Sequence, residues 1–204
     1  MKMPVPTSGE GFERCPAGNH LAVCYEIIDL GTQEATYKGE TKKQRKIWLG
    51  WETPHEQMED GRPFVIGRRY TLSSHEKSTL RKDLESWRGK PFKDEEFGEG
   101  GFAIESVIGA ACFLNVVHNE NEGKTYANIN SVAALPKGTK APSATNSHVY
   151  FSLDPPDFSQ DTFDSLSDRM KETIAKSPEF QQVKGAGPVT VPAIDESDDN
   201  ESPF

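Results

Sequence analysis

QRKIWLGWE, residues 44–52, is the stretch on which the fold turns. Its side chains alternate: Ile47, Leu49 and Trp51 fall on one side of an extended chain, Lys46, Trp48 and Gly50 on the other. An apolar side opposite a mixed side, with a period of two, is the pattern of a strand with one face in a core. The two tryptophans lie three residues apart, so they face opposite ways. Trp51 shares its side with two aliphatics and is assigned to the core, and Trp48 to the open face.

Working outward, residues 21–30 (LAVCYEIIDL) are rich in β-formers and form the first strand expected, stopped by Gly31. Residues 31–43 read as a polar loop and 54–62 as another. Residues 63–72 (PFVIGRRYTL) give a third strand. A helix follows. Ser73 and Glu76 have capping-box spacing, Leu80, Leu84 and Trp87 recur at helical spacing, and Gly89 and Pro91 end it. The helix mixes Lys77, Arg81, Lys82 and Arg88 with Glu76, Asp83 and Glu85, as a salt-bridged exposed face would. Residues 102–108 are ambiguous. Residues 111–118 (ACFLNVVH) and 124–135 (KTYANINSVAAL) are two strands around a polar turn, a hairpin.

Three strands, a helix and a two-stranded hairpin make a mainly β chain with helices. The order is that of an OB-fold, a five-stranded Greek-key barrel with a helix between strands 3 and 4, although an open α+β sheet gives a similar string. The expected divisions are an irregular N-terminal arm (1–19), an OB-fold nucleic-acid-binding domain (20–140), a linker with an amphipathic helix (141–183) and a flexible acidic tail (184–204). In the third of these, Phe163, Leu166, Met170 and Ile174 share one helical face, with Asp161 as candidate cap. That face suits packing on the barrel or a homodimer contact.

The chain has 204 residues and a net charge of −9, with a mean hydropathy of −0.67. Residues 1–140 hold 19 Lys/Arg and 20 Asp/Glu, whereas residues 141–204 hold 4 and 12. The acidity belongs to the C-terminal third, and a near-neutral body still has room for a basic face. Cys15, Cys24 and Cys112 are odd in number and widely spaced, which points to a reducing cytoplasm rather than a disulfide framework. No apolar run has the length of a membrane span, and the N-terminus has no signal-peptide core, so no membrane role is expected.

Single-stranded DNA needs cations along a groove and flat rings for its bases. Lys38, Lys42, Lys43, Arg45 and Lys46 lead into Trp48. The third strand adds Arg68, Arg69 and Tyr70, and the hairpin adds Lys124 and Tyr126, the last open between core and surface. Stacking tolerates any base, so little sequence preference is expected. Cys15, His20, Cys24, Cys112 and His118 lack the CxxC or HxxxH spacing of zinc sites, and no Walker loop, GxSxG or HExxH is present. Neither a metal, a cofactor nor a catalytic role is expected. A metal-dependent nuclease with dispersed carboxylates is the remaining enzymatic alternative.

The last ten residues carry five carboxylates, no base, and a terminal Pro203-Phe204. Such a tail repels itself and has little to bury. Phe204 offers a ring for a pocket and a carboxylate for a basic residue, so the tail reads either as a docking peptide or as a solubilising one.

RKIWLGWE (45–52), GRPFVIGRRYTLSSHEKSTLRKDLESWRGKPF (61–92) and CFLNVVHNENEGKTYANINSV (112–132) resemble a group of tailed-bacteriophage proteins that look like single-stranded DNA-binding replication proteins. The resemblance spans residues 20–135. Separately, the tail resembles the C-terminal peptide of bacterial single-stranded DNA-binding proteins. That likeness implies docking to replication or recombination proteins through Asp198, Asp199, Pro203 and Phe204. Two departures are Ser202, where an aliphatic residue usually stands, and the absence of a long Gly/Gln-rich linker. Host and phage-encoded partners both remain open. The expected function is sequence-independent single-stranded DNA binding in phage replication or recombination. The alternative is a phage inhibitor or adaptor that binds a host protein, its acidic C-terminal third mimicking nucleic acid.

Overall fold

The computed structural model describes residues 13–37 and 40–185. Its strands are β1 (Gly18–Tyr37), β2 (Glu40–Gln57), β3 (Pro63–Thr71), β4 (Ala111–Asn121), β5 (Lys124–Ala133) and β6 (Val149–Phe151). Four helices accompany them: α1 (Thr79–Arg88), α2 (Gln160–Ser165), α3 (Asp168–Ala175) and α4 (Pro178–Gly185). One open sheet runs in the order β3-β2-β1-β4-β5, all antiparallel, and β6 joins β1 in parallel. The helix expected between the third and fourth strands is α1. No ladder joins β3 to β5 among the described residues, although the two approach each other.

The alternation in β2 decides both faces. Ile47, Leu49 and Trp51 are buried in a core with Phe64, Ile66 and Tyr70 of β3 and Leu80, Leu84 and Trp87 of α1. The Trp51 and Trp87 rings sit 5.9 Å apart. On the opposite face a second cluster gathers Ile28, Leu30, Phe151, Phe163, Leu166, Ile174 and Phe180, with Trp48 and Met170 packed against it. β1 serves both clusters because it carries a bulge. Its register slips at Tyr25, so Ala22 and Cys24 face the first core, then Ile27, while Ile28 and Leu30 reach the second.

Several local expectations change. Gly31 does not end β1. It sits at a second bulge with φ of 68°, and a Cβ there would lie 2.4 Å from Ser177 Cβ. Within the supposed loop 31–43, residues 31–37 and 40–43 are therefore two paired strand arms. Ser78, not Ser73, caps α1: its hydroxyl accepts from the Arg81 amide at 3.1 Å. Gly89, with φ of 72°, ends that helix as expected. Residues 104–107 form a 3-10 turn.

The amphipathic segment 158–174 is two short helices, α2 and α3, rather than one, and α4 follows it. Ser159, not Asp161, caps α2, accepting from the Thr162 amide. Its apolar face packs within the chain. β6 had no counterpart in the sequence reading, because three residues are too few for a visible alternation. The segment before it is held by Glu52, a buried carboxylate of β2. Glu52 accepts from the Thr145 and Asn146 amides and, at 2.5 Å, from Asn146 Nδ2.

Candidate nucleic-acid interface

The outer face of β2 and β3 presents Lys46, Trp48, Gly67, Arg69 and Thr71. Cross-strand pairing sets Trp48 against Arg69 and Lys46 against Thr71. Across the open seam, β4 and β5 contribute Asn119, Asn121, Tyr126 and Asn128, and α3 contributes Arg169, Met170 and Thr173. Together these line a groove of about 940 Å³. Its floor lies where β3 and β5 come close without pairing, so the openness of the sheet is what creates it.

The cations near the sheet divide into two sets, one of which includes a residue that was not expected. Arg45 is bound to Asp29, a buried carboxylate, and to Asp154 at 2.8 Å. These partners push its pKa above the ordinary arginine range. Arg68 pairs with Asp83 at 3.0 Å and lies 5.2 Å from the Tyr70 ring centroid. Lys43 pairs with Glu34 at 3.3 Å and Lys42 with Glu40 at 3.6 Å, on the exposed β1–β2 arm. These four charges already have acids opposite them.

The second set has none. Arg69 and Arg169 line the groove, and neither enters an ion pair among the described residues. Lys46 Nζ donates to two neutral acceptors, Thr71 Oγ1 at 2.6 Å and Gln44 Oε1 at 2.7 Å. Burial, and then the charge of Arg69, pull its pKa down. A lysine crowded by an arginine and held by neutral oxygens is a place where an anion is favoured. A shallower continuation, lined by Lys46, Arg69, His75 and Lys77, extends the cationic track toward α1. Lys124 is exposed at the hairpin tip and does not line the groove.

The rings divide as well. Tyr126 is 48% exposed and lines the groove. Trp48 is half-buried and also lines it. Tyr70 belongs to the core: its hydroxyl donates to Asp83 at 2.8 Å, and burial pushes its pKa up. Tyr70 pairs across the ladder with Ile47, so it shares the inward face and cannot meet a base. The adjacent arginines disguised that phase in the sequence.

Arg169 was missed. It follows Asp168 in an acidic segment, and only the fold of α3 against the sheet brings it to the groove. Asn119, Asn121 and Asn128 were missed too, although asparagines at alternating positions of a hairpin were a visible signal. The thiols lie elsewhere. Cys15, Cys24 and Cys112 are buried, and burial pushes Cys24 up to about 12. His20 Nε2 and His118 Nε2 are each 2.8 Å from a backbone carbonyl, of Pro16 and Cys15 respectively. Lys38 and the tail residues Asp198, Asp199, Pro203 and Phe204 lie outside the described residues. Among the described residues no helix is long and apolar enough to cross a membrane. No family model and no curated protein matches the chain, so the residues themselves carry the functional argument.

Proposed function

We propose that this chain binds single-stranded DNA in the β3–β5 groove with little overall sequence preference. The carrying observation is that two rings, Trp48 and Tyr126, and two arginines without acidic partners, Arg69 and Arg169, line one open groove. Rings take bases and arginines take phosphates. The strand order supports an OB-like architecture opened between β3 and β5, with the outer face of β2 and β3 and the β4–β5 hairpin as ligand face. On this reading the protein coats exposed strands during phage replication or recombination. The acidic tail, residues 195–204, recruits replication or recombination proteins, and it competes with DNA for the groove as a tethered polyanion.

The test is fluorescence anisotropy with a labelled mixed-sequence single strand, competed by duplex of the same sequence at two salt concentrations. Binding that weakens with salt and resists duplex supports the reading. Equal competition by duplex, or no binding at low salt with residues 195–204 removed, overturns it. Removing the tail is expected to tighten DNA binding at low salt and to abolish capture of its protein partners.

A further inference from the structure

Beside the groove lies a second, smaller recess of about 320 Å³, walled by Trp48 and Met170, which also line the groove. Its floor is unusual. Glu26, Gly50 and Gly67 are register partners, forming one transverse row across β1, β2 and β3. Two of the three positions have no side chain, and glycine inside a strand marks a close approach. Both approaches are visible. A Cβ on Gly67 would lie 2.1 Å from Trp48 Cζ2, and one on Gly50 would lie 2.8 Å from Glu26 Oε2. The indole sits over one glycine, and its Nε1 donates to Glu26 Oε2 at 3.1 Å. The row is a lane with a ring along it and a carboxylate at its end.

Glu52, on the same sheet, shows what a structural carboxylate needs here: three donors satisfy it. Glu26 receives one, from Trp48, among the described residues. Each carboxylate oxygen has two lone pairs, so acceptor capacity remains. Burial raises the pKa of Glu26, as expected of an incompletely solvated acid. Glu26 is also the one carboxylate lining the recess, which has no lysine, arginine or histidine; its other oxygen-bearing side chains, Tyr25, Ser165 and Ser167, are hydroxyls. A phosphate is repelled from it, whereas the neighbouring groove carries Arg69 and Arg169. The two sites thus sort a nucleotide, backbone to the arginines and base to the carboxylate.

We propose that this recess takes one base from the bound strand and that Glu26 gives it a preference for guanine. Guanine presents N1–H and N2–H side by side, the pattern that a carboxylate accepts, while thymine offers a single N–H flanked by two acceptors. Trp48 fixes the carboxylate and supplies the ring on which the base rests. The proposal rests on the groove binding single strands and adds a preference at one nucleotide per site.

The experiment compares three labelled oligonucleotides by anisotropy: oligothymidylate, the same oligomer with isolated guanines, and that oligomer with inosine in place of guanine. Wild-type protein is expected to bind the guanine oligomer on the order of tenfold tighter than oligothymidylate. Inosine, which lacks the N2 amino group, is expected to lose most of that gain. In Glu26→Gln the guanine-to-thymine ratio is expected to fall to near one, and the inosine comparison needs no variant at all. Equal affinity of wild-type protein for all three oligomers overturns the recess and leaves the groove standing. An unchanged ratio in Glu26→Gln, or full retention by inosine, also overturns it. Absence of binding to any oligomer overturns groove and recess together.

Discussion

The two faces of β2 and β3 are built by different rules, and Trp51 and Trp48 show the difference. Trp51 is buried among Ile47, Leu49 and Trp87, where apolar area and packing decide its place. Trp48 rests on a glycine of the next strand, bonds an acid of the strand on its other side and borders the helix α3. The inner face depends on what each residue is. The outer face depends on which residues meet, and its charges are left partly unsatisfied.

Substitution at the two tryptophans is the sharpest way to break this comparison. Trp51→Ala is expected to cost about 3–5 kcal/mol of stability, read from denaturant midpoints, because a large cavity opens in a closed core. Trp48→Ala is expected to cost clearly less stability and to weaken single-strand binding by about 1–3 kcal/mol, the worth of one stacked base. Wild-type affinity in Trp48→Ala removes the ring from the ligand face and with it the functional contrast between the faces.

The arginines give the next effect. Arg45→Ala strands the buried Asp29, which also accepts from the Gly31 and Leu153 amides. A stability loss of about 3 kcal/mol is expected. Arg69→Ala has no acid to strand. It is expected to leave the denaturant midpoint within about 0.5 kcal/mol of wild type and to lower the salt dependence of DNA binding by about one phosphate contact. A large midpoint loss in Arg69→Ala means that an intramolecular partner holds it.

What was legible in the sequence follows the same division. Strands with an apolar side announced themselves, and so did α1 and the opposite assignments of Trp48 and Trp51. The polar β1–β2 arm, three-residue β6 and the break between α2 and α3 gave no periodic signal: the arm is polar along its length, and β6 is short and pairs with a strand more than a hundred residues away. Among the site residues, a cluster of cations in sequence proved a poor guide. Arg45 and Arg68 found acids, while Arg169, beside Asp168 in sequence, did not. Charge pairing is a tertiary property, so the cations left without acids are visible only once the chain is folded.

The tyrosines probe the same contrast at smaller amplitude. Tyr126→Ala is expected to weaken single-strand binding by about 1–2 kcal/mol with little change in stability, since the ring is exposed. Tyr70→Phe removes the hydroxyl that bonds Asp83 and is expected to cost about 1 kcal/mol of stability. Its binding is expected to be that of wild type. An affinity loss in Tyr70→Phe that exceeds the loss in Tyr126→Ala reverses the assignment of the two rings.

The smallest effect tests whether the outer face carries a stability cost for its open chemistry. Burial raises the pKa of Glu26, and the hydrogen bond from Trp48 offsets this in part. An unfolded glutamate titrates near 4.3. With the folded value above the unfolded one, the native state holds the proton more tightly, and ionisation opposes folding. The penalty is complete above the folded pKa, declines as pH falls through it, and is gone below the unfolded value, where both states are protonated. Glu26→Gln removes the charge at every pH. It is therefore expected to raise the urea midpoint at pH 8 and to lose that advantage on acidification toward pH 4. A lower midpoint at pH 8 means that the charged bond to Trp48 outweighs desolvation. Glu26 then acts as a structural anchor like Glu52, and the difference between the faces shrinks to the arginines and the exposed rings.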